Sequence, residues 1–405
     1  MFIFYLSRFR ISEILSKFAA MIIGFDAKRI VRNATGLGSY GRTLVNDLAR
    51  QPGLQLRLYA PDAGRDDLRS QVAGGANVTF CYPSTPRLPF AAALWRSKCI
   101  CRDLLRDGVQ LFHGLSGELP IGIRRTGIRS VVTIHDLIFL RHPEYYRWLD
   151  TRIYTCKFRQ ALREADHIVA ISECTRRDIL YYADRLGCAI PSPGRISVVY
   201  QSCAPRFSAA PTAEGLLPEA LQAIIPTRRY LLSVGTIEPR KNILLAVKAL
   251  HHLPDDLGLV IVGRHTPYAD TVRRYAEDSG LTARVAFLHG ITDSTLPQLY
   301  ASAEAFVYPS RYEGFGIPII EAISSGLPVV ACTGSCLEEA GGPDSLYTDP
   351  DDPLAFAAAV GRMLQGSPER QQRIARSQDY IRRFIGSDVA AQMAALYDAI
   401  IHHHE

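Results

Sequence analysis

Short apolar runs alternate with stretches of helical periodicity along most of the chain, and this alternation limits the possible folds more than any other feature. Apolar runs bounded by turn residues indicate buried strands, and helices between them indicate a parallel sheet. The predicted strands of the first half are 21–25, 55–60, 110–113, 129–134, 167–171 and 196–199. Those of the second half are 229–234, 258–262, 284–288, 305–308 and 327–331. We therefore predict two doubly wound, Rossmann-like α/β domains that face each other across a cleft.

The alternation stops once, in a stretch where prolines accumulate and β-branched residues become scarce. This stretch contains Pro205, Pro211, Pro218 and Pro226. Such composition is typical of a linker between domains. We predict five segments: an N-terminal extension at 1–20, an N-terminal domain at 21–205, a linker at 206–228, a C-terminal domain at 229–384, and a C-terminal helix with its tail at 385–405.

The first twenty residues begin with apolar side chains, which Arg8 and Arg10 then interrupt. A secretory signal has the opposite order, with charges before the apolar run. Two interpretations stay open: Met21 is the true start, or the segment is an amphipathic helix on a membrane surface. The nine cysteines have neither a disulfide nor a zinc spacing, which favours reduced thiols and a cytoplasmic protein. A peripheral position at the inner face of the membrane is compatible with this.

The net charge also limits the partners that we expect. A formal charge of +6 over 405 residues is modest. It is compatible with anionic small molecules or lipid head groups, and it does not demand nucleic acid. We therefore expect no nucleic-acid partner. The pair Arg124 and Arg125 is one of several basic segments in the first half that could meet lipid phosphates.

A glycine-rich segment near the start matches the pattern G-x-G-x-x-G, at Gly36, Gly38 and Gly41. Asp62 follows at about the distance expected for a dinucleotide site. In such a site, however, the glycines follow the strand immediately, whereas here nine residues separate Gly36 from Asp26 at the end of the first strand. Three interpretations remain: a loop that faces a phosphate or substrate, an NAD site, or a simple turn.

The strongest signal in the second half is the segment YPSRYEGFGIPIIE, from Tyr308 to Glu321. A predicted strand ends there, a glycine-broken loop follows, and Pro318 suits the start of a helix. Backbone N–H groups around Phe315 and Gly316 would then lie at a helix N-terminus, which favours a phosphate. A carboxylate such as Glu321, one turn into that helix, is suited to accept hydrogen bonds from a ribose diol.

Three further candidates stand at predicted strand ends. Arg240 and Lys241 follow the first strand of the second half, where two adjacent cations can neutralise a diphosphate. Gly263 follows the next strand and would let a ligand approach the backbone closely. His135 ends a strand of the first half, and both a structural and a catalytic histidine remain open there.

The spacing of Glu313 and Glu321, eight positions apart around G-F-G-x-P, resembles the paired-glutamate motif of retaining GT-B glycosyltransferases of family four (group 1). The details look most like the bacterial mannosyltransferases of that family. The resemblance implies that Glu321 holds the ribose hydroxyls of a nucleotide sugar and that Glu313 meets the transferred sugar. It also implies that Arg240 and Lys241 form the diphosphate clamp.

The resemblance extends to the first half of the chain. It implies that Gly36 and Gly38 approach the donor diphosphate from the opposite wall and that His135 lies close to the donor sugar. Many members carry an arginine directly after the glycine that matches Gly235, whereas this chain has Thr236. Arg240 would therefore supply more of the charge.

The resemblance implies an enzyme that transfers a hexose with retention of configuration, with mannose from GDP-mannose as the first choice. UDP- and ADP-sugars stay open. The acceptor would be a saccharide, free or linked to polyprenyl diphosphate, in the synthesis of a surface polysaccharide such as lipopolysaccharide. We expect no essential metal, because no D-x-D-like pair stands at a strand end. The alternatives are a sugar-nucleotide epimerase or phosphorylase of the same fold, and a non-catalytic module that binds a nucleotide or NAD.

Overall fold

A computed structural model of the chain describes residues 20–84, 89–189, 192–207, 229–292, 294–384 and 386–402. The predicted N-terminal extension lies outside these residues except for its last position. Residues 208–228 of the predicted linker also lie outside the described residues. The remaining predicted segments can be compared with the structure directly.

The first half of the chain forms a sheet of seven parallel strands, in the order β3-β2-β1-β4-β5-β6-β7. The strands are β1 (Met21–Asp26), β2 (Leu54–Tyr59), β3 (Val78–Cys81), β4 (Leu111–Gly114), β5 (Arg129–Ile134), β6 (His167–Ala170) and β7 (Ile196–Val198). Ile23 stands at the centre and pairs with Leu56 on one side and Leu111 on the other. All three side chains are buried, because helices cover both faces of the sheet.

The helices of the first half lie between its strands, as a parallel sheet requires. They are α1 (Lys28–Arg32), α2 (Gly36–Leu48), α3 (Asp66–Arg69), α4 (Pro89–Leu94), α5 (Ile100–Arg106), α6 (Ile138–Arg141), α7 (Trp148–Glu164) and α8 (Glu173–Arg185). A single π-helical segment, Trp95–Cys99, joins α4 to α5. The N-cap of α8 is Ser172, whose side chain accepts the Thr175 N–H as expected for a serine in this position.

The second half repeats this architecture with six parallel strands in the order β10-β9-β8-β11-β12-β13. The strands are β8 (Arg229–Val234), β9 (Leu257–Val262), β10 (Val285–Leu288), β11 (Ala305–Tyr308), β12 (Val329–Cys332) and β13 (Leu346–Thr348). The helices are α9 (Ile243–Ala249), α10 (Pro267–Asp278), α11 (Leu296–Ser302), α12 (Ile317–Ser324), α13 (Leu337–Gly341), α14 (Pro353–Gly361), α15 (Arg370–Tyr380) and α16 (Gly386–His402). The predicted fold class, two parallel α/β domains, is therefore confirmed.

Two short strands, β3 and β13, and several helices, α1 among them, were absent from the sequence-based prediction. Strands β3 and β13 lie at sheet edges, where one side is unpaired. Their residues are mostly half-buried, so they lack the continuous apolar run that marks a central strand. Helix α1 has only five residues and no acidic first turn or side-chain cap that would identify it.

The C-terminal helix α16 packs on the first sheet, although it follows the second domain in sequence. Val389, Ala390, Met393 and Tyr397 are buried in the same core as Ile23. The Tyr397 hydroxyl lies 2.6 Å from Nδ1 of the buried His113. The stretch 370–402 is long and apolar enough to cross a membrane by length and composition alone. The burial of these four side chains inside the domain explains the apolar character of α16.

Candidate active site

Glu313, Arg240 and Lys241 meet at the carboxyl edge of the second sheet. One Glu313 oxygen lies 2.8 Å from the Arg240 guanidinium and the other 2.6 Å from the Lys241 ammonium. The side chain of Glu313 is only 11% exposed, so the carboxylate is largely shielded from water. The three residues therefore form a compact buried ion cluster with two positive charges and one negative charge. Carboxyl ends of strands are where doubly wound sheets bind ligands.

Further contacts hold the two cations of this cluster in place. Arg240 donates to the Tyr312 carbonyl at 2.6 Å and to the Glu238 carboxylate at 2.7 Å. Lys241 donates to the Tyr308 hydroxyl at 2.6 Å. Each cation is thus directed by two elements, the turn after β8 and the loop after β11. Fixed cations of this kind can stabilise negative charge without first reorganising.

The cluster also controls the ionisation of Glu313. Burial by itself would raise the pKa of this carboxyl, but the charges of Lys241 and Arg240 outweigh burial and lower the pKa to about 2. Lys241 shows the matching effect: burial would lower its pKa, and Glu313 raises it above the usual value. All three groups are therefore charged at neutral pH.

Glu321 lies one turn into α12, as predicted. Its carboxylate accepts a hydrogen bond of 3.0 Å from the Tyr300 hydroxyl on α11. Tyr300 was not predicted as a site residue, because nothing in its local pattern separates it from an ordinary buried aromatic residue. Tyr300 orients one carboxylate oxygen, and Glu321 itself is only partly buried.

Residues Phe315 and Gly316 occupy the N-terminus of α12. Gly316 adopts φ of +136°, which favours glycine, and it directly precedes the helix. The Phe315 ring is buried and stacks on Tyr200 at 5.4 Å between centroids. The Phe315 side chain is therefore part of the core, so any contact with a ligand would come from the backbone at this turn.

His135 directly follows β5, and both of its ring nitrogens have partners. Nε2 lies 2.8 Å from the Leu115 carbonyl, so it must carry the proton and donate. Nδ1 accepts from the Gln201 side-chain amide at 3.0 Å. Burial lowers the pKa of His135 to about 4, so the imidazole is neutral at physiological pH. In this arrangement the ring is a fixed neutral group rather than an available base.

The glycines of the G-x-G-x-x-G segment lie within a helix rather than in a loop. Helix α2 begins at Gly36, so Gly36 and Gly38 form its first turn. A Cβ atom on Gly38 would lie 1.8 Å from the Asn33 carbonyl oxygen, whereas one on Gly36 would meet nothing within 4 Å. Close packing of α2 on its preceding turn therefore requires glycine at 38 but not at 36.

This difference gives a paired prediction. We expect Gly38→Ala to destabilise the protein by about 2 kcal/mol or more, because backbone must move to relieve the clash. Gly36→Ala should leave the melting temperature nearly unchanged, and it serves as the matched control. Thermal unfolding of the two variants beside the wild type measures both effects. Equal stability of the two variants would contradict the role assigned to Gly38.

The acidic residue that would complete an NAD site has another partner. Asp62 forms an ion pair with Arg32, the last residue of α1, and accepts the Gly64 N–H at 2.9 Å. In addition, α1 stands between β1 and the glycines, where a dinucleotide site has a tight turn. The structure therefore gives the NAD interpretation no support.

Gly263 has a structural reason to be glycine. A Cβ atom there would lie 1.8 Å from the Gly235 carbonyl oxygen. The group that lies close to Gly263 is therefore backbone of the protein itself, in the loop after β8. The predicted contact of Gly263 with a ligand stays a prediction.

The two domains touch through the loop that carries Glu313. A Cβ atom on Gly314 would lie 2.1 Å from the His135 carbonyl oxygen, so only glycine fits this approach. The Ser172 hydroxyl donates to the Gly314 carbonyl at 2.8 Å. Glu339 of α13 accepts the backbone N–H groups of Glu173 and Cys174 at 2.7 and 2.8 Å. A carboxylate of the second domain thus caps α8 of the first and helps to hold the two domains together.

A charged cavity lies on the first-domain side. Its volume is about 460 Å³, and its lining includes Asp26, Arg96, Glu118 and Lys157. Arg96 lies 3.0 Å from Asp26 and also pairs with Glu118, which in turn lies 2.8 Å from Lys157. A second cavity, of about 230 Å³, contains His135 and shares Glu118 and Lys157 with the first. This network was not predicted from the sequence, although the position of Asp26 at the carboxyl end of β1 could have indicated it.

Among the residues that the structure describes, no group of three or more histidine, cysteine, aspartate or glutamate side chains could hold a metal ion. The expectation that activity needs no metal stays a prediction.

Two family models together match most of the chain. The model for Glycosyltransferase Family 4 matches residues 34–200, and the model for Glycosyl transferases group 1 matches residues 221–379. O-antigen chain mannosyltransferase B of Escherichia coli is 30% identical over 71% of this chain and 74% of its own length. The GDP-mannose-dependent alpha-(1-6)-phosphatidylinositol monomannoside mannosyltransferase of Mycolicibacterium smegmatis is 27% identical over 81% and 85% of the two chains.

Solved structures show the same fold at lower identity. Sucrose-phosphate synthase from Thermosynechococcus elongatus superposes with a TM-score of 0.74 at 21% identity, covering 94% of this chain and 99% of that one. WaaG, a glycosyltransferase involved in lipopolysaccharide biosynthesis, superposes with a TM-score of 0.67 at 16% identity, covering 95% and 100%. With two parallel domains and family models over both, the chain belongs to the group 1 glycosyltransferases of family 4 and is an enzyme of the GT-B fold.

Proposed function

We propose that the protein transfers mannose from GDP-mannose, with retention of configuration, to a saccharide or lipid-linked saccharide acceptor in surface polysaccharide synthesis. The observation that carries the proposal is the buried cluster of Glu313, Arg240 and Lys241 beside the α12 N-terminus. The choice of mannose rests on relatives that are named as mannosyltransferases, including O-antigen chain enzymes of Escherichia coli and Salmonella typhimurium.

The chemistry of glycosyl transfer explains why this cluster suits the reaction. As the sugar–phosphate bond breaks, negative charge develops on the departing nucleoside diphosphate. Arg240 and Lys241 stabilise that charge, and the backbone N–H groups before α12 add a helix dipole. Glu313 keeps both cations charged and oriented before the donor binds, and it accepts hydrogen bonds from hydroxyl groups of the bound hexose.

The neutral His135 fits a positioning role in this proposal. With its Nε2 proton held by the Leu115 carbonyl and its Nδ1 lone pair accepting from the Gln201 amide, the ring does not abstract a proton from the acceptor. Attack of the acceptor on the same face that the diphosphate leaves lets a phosphate oxygen take the acceptor proton. Retention then follows without a protein nucleophile, and the closed domains exclude water from the reacting centre.

The acceptor enters from the first-domain side in this proposal. The 460 Å³ cavity offers carboxylates at Asp26 and Glu118 and cations at Arg96 and Lys157. Carboxylates accept hydrogen bonds from sugar hydroxyls, and cations suit a diphosphate linkage. The two cavities share Glu118 and Lys157, so an acceptor could extend from this site to His135.

Thermal unfolding with GDP, UDP, ADP and NAD, each with and without magnesium, tests the nucleotide first. A ligand at about 100 times its Kd stabilises the folded state by roughly 2.7 kcal/mol. We expect GDP to raise the melting temperature most, equally with magnesium or with a chelator. Stabilisation by UDP or ADP instead would change the donor, and a response to NAD alone would contradict the proposal.

Transfer itself is measured by GDP release from GDP-mannose with and without a mannose-containing acceptor. Acceptor-dependent release, with an α-linked product by NMR, would support a retaining transferase. Release that needs no acceptor but needs orthophosphate would favour a phosphorylase, and epimerised donor would favour an epimerase.

Replacing Glu321 tests the nucleotide assignment. We expect Glu321→Ala to weaken GDP binding by about tenfold to a hundredfold, because two charge-assisted hydrogen bonds to the ribose would be lost. Its effect on kcat at saturating donor should be smaller. Titration calorimetry with GDP gives the affinity, and the matched control is Glu338→Ala on α13. Unchanged GDP affinity in Glu321→Ala would contradict the assignment.

A further inference from the structure

Helix α7 exposes large apolar side chains to an unusual extent. Of the ten large apolar side chains that are exposed among the described residues, four lie on α7, namely Trp148, Leu149, Ile153 and Tyr154. Trp148 is 70% exposed and Leu149 is 59% exposed. The buried face of the helix carries Phe158, Ala161 and Leu162, and Tyr154, one turn before Phe158, shares that face and contacts Phe139 and Tyr146. Trp148, Leu149 and Ile153 therefore lie on a side of the helix that does not pack on the core. Clustered apolar exposure of this kind marks an interaction surface.

Arginines surround these apolar side chains. Arg147, Arg152, Arg159 and Arg163 are all exposed, and the Arg152 guanidinium lies 4.7 Å from the centre of the Trp148 ring. Asp150 and Glu164, the two carboxylates of α7, are only partly exposed. The exposed face of the helix is thus apolar and cationic, a combination that is typical of helices lying on anionic membranes.

Two neighbouring segments continue this face. Gln160 of α7 donates to the Leu119 carbonyl at 3.0 Å, and Arg124 donates to the Arg163 carbonyl at 3.1 Å. The Ile121 N–H donates to the Ser97 carbonyl at 2.7 Å, which joins the loop at 119–125 to the π-helical segment. These segments, with the adjoining helices α4 and α5, expose Leu94, Leu105, Ile121, Lys98, Arg102, Arg124 and Arg125. With α7 they form one contiguous area, which we call the α7 surface.

We propose that the α7 surface docks on a bilayer that contains anionic phospholipid, with Trp148, Leu149 and Ile153 inserted at the boundary between head groups and acyl chains. The arginines pair with lipid phosphates, while Trp and the aliphatic side chains leave water. Charge complementarity and the amphipathic pattern carry this choice of occupant.

Docking in this orientation would bring the acceptor cavity to the membrane. Lys157 and Gln160 lie on α7 and line the 460 Å³ cavity, and the 56% exposed Leu94 stands at its mouth. A lipid-linked saccharide could then reach the cavity without leaving the bilayer. This purpose rests on the proposed function, whereas the evidence for docking does not.

Sedimentation of the full chain with vesicles tests the proposal without donor or acceptor. We expect binding to vesicles of phosphatidylcholine mixed with phosphatidylglycerol, decreasing with salt, and much weaker binding to phosphatidylcholine alone. The double variants Trp148→Ser/Leu149→Ser and Arg152→Glu/Arg159→Glu should each lower the partition coefficient by about tenfold or more. The controls are Leu354→Ser and Arg274→Glu, which alter exposed residues of the second domain and should bind as the wild type does.

The far-UV circular dichroism spectrum and the melting temperature of each variant show whether the variant is folded. Binding of both folded double variants at wild-type level would overturn the proposal, as would failure of the wild type to bind anionic vesicles. The readout involves no sugar nucleotide. A protein that docks through the α7 surface but does not use GDP-mannose would therefore refute the proposed function and leave this inference standing.

Discussion

The variant Lys241→Met is expected to lose about 10²- to 10³-fold in kcat for transfer, the largest catalytic effect of any substitution proposed for this enzyme. Methionine keeps the aliphatic length of the side chain and removes the ammonium group that lies 2.6 Å from Glu313. Loss of one preorganised group that stabilises developing charge costs roughly 3–4 kcal/mol of the barrier. Because the diphosphate gains charge as it leaves, kcat should fall more than donor affinity does.

Steady-state kinetics with varied donor separates the two effects. The matched control is Arg274→Met, which removes an exposed cation from the same domain and should change kcat less than twofold. Glu313 keeps its ion pair with Arg240 in Lys241→Met, so the protein should still fold. A folded Lys241→Met enzyme with wild-type kcat would show that the cluster does not stabilise the leaving group.

The variant Glu313→Gln should show the largest change in stability and an increased response to GDP. The glutamine leaves two buried cations without their shared carboxylate. With the pKa of Glu313 at about 2 in the folded protein and 4.5 as its reference value, the carboxylate contributes on the order of 3 kcal/mol at neutral pH. GDP would replace the missing negative charge, so it should raise the melting temperature of the variant more than that of the wild type.

The sign of the pH dependence follows from the lowered pKa. The contribution of Glu313 is fully present above about pH 4.5 and is lost as the pH falls from there towards 2. Glu313→Gln lacks this component, so the wild type and the variant should converge in stability over that range. The control is Asp351→Asn, which breaks an ion pair with Arg311 in which Asp351 is 71% exposed and should matter little. A GDP response no larger than that of the wild type would contradict the charge-replacement argument.

The architecture and the second-domain motif were predictable from sequence because both depend on local patterns. Every predicted strand is present within a few residues, since central parallel strands are buried on both faces and read as continuous apolar runs. The helix that starts at Ile317 has a glycine before it and a proline in its first turn. Such signals need no knowledge of distant contacts, and the same is true of the spacing between Glu313 and Glu321.

The contacts that complete the site were not predictable, because they join residues far apart in sequence. The ion pairs between the turn at 240–241 and Glu313, and the hydrogen bond from Tyr300 to Glu321, require the packed tertiary structure. The cap that Glu339 provides for α8 crosses between domains, so no local pattern records it.

The same limit applies to the glycines. The pattern at Gly36 and Gly38 looks uniform in the sequence, and only the structure shows that a single one of the two has no room for a side chain.

The return of α16 to the first sheet has a consequence for how the protein is made. A ribosome completes all seven strands of the first domain by residue 198, yet Val389, Met393 and Tyr397 of that domain's core have still to be synthesised. Until they emerge, the surface that α16 covers stays exposed, and Nδ1 of His113 lacks its partner Tyr397. The first domain therefore cannot finish folding during translation before the second has been made. Nascent chains truncated before residue 386 should expose this apolar surface to chaperones, and release of the whole chain should close it.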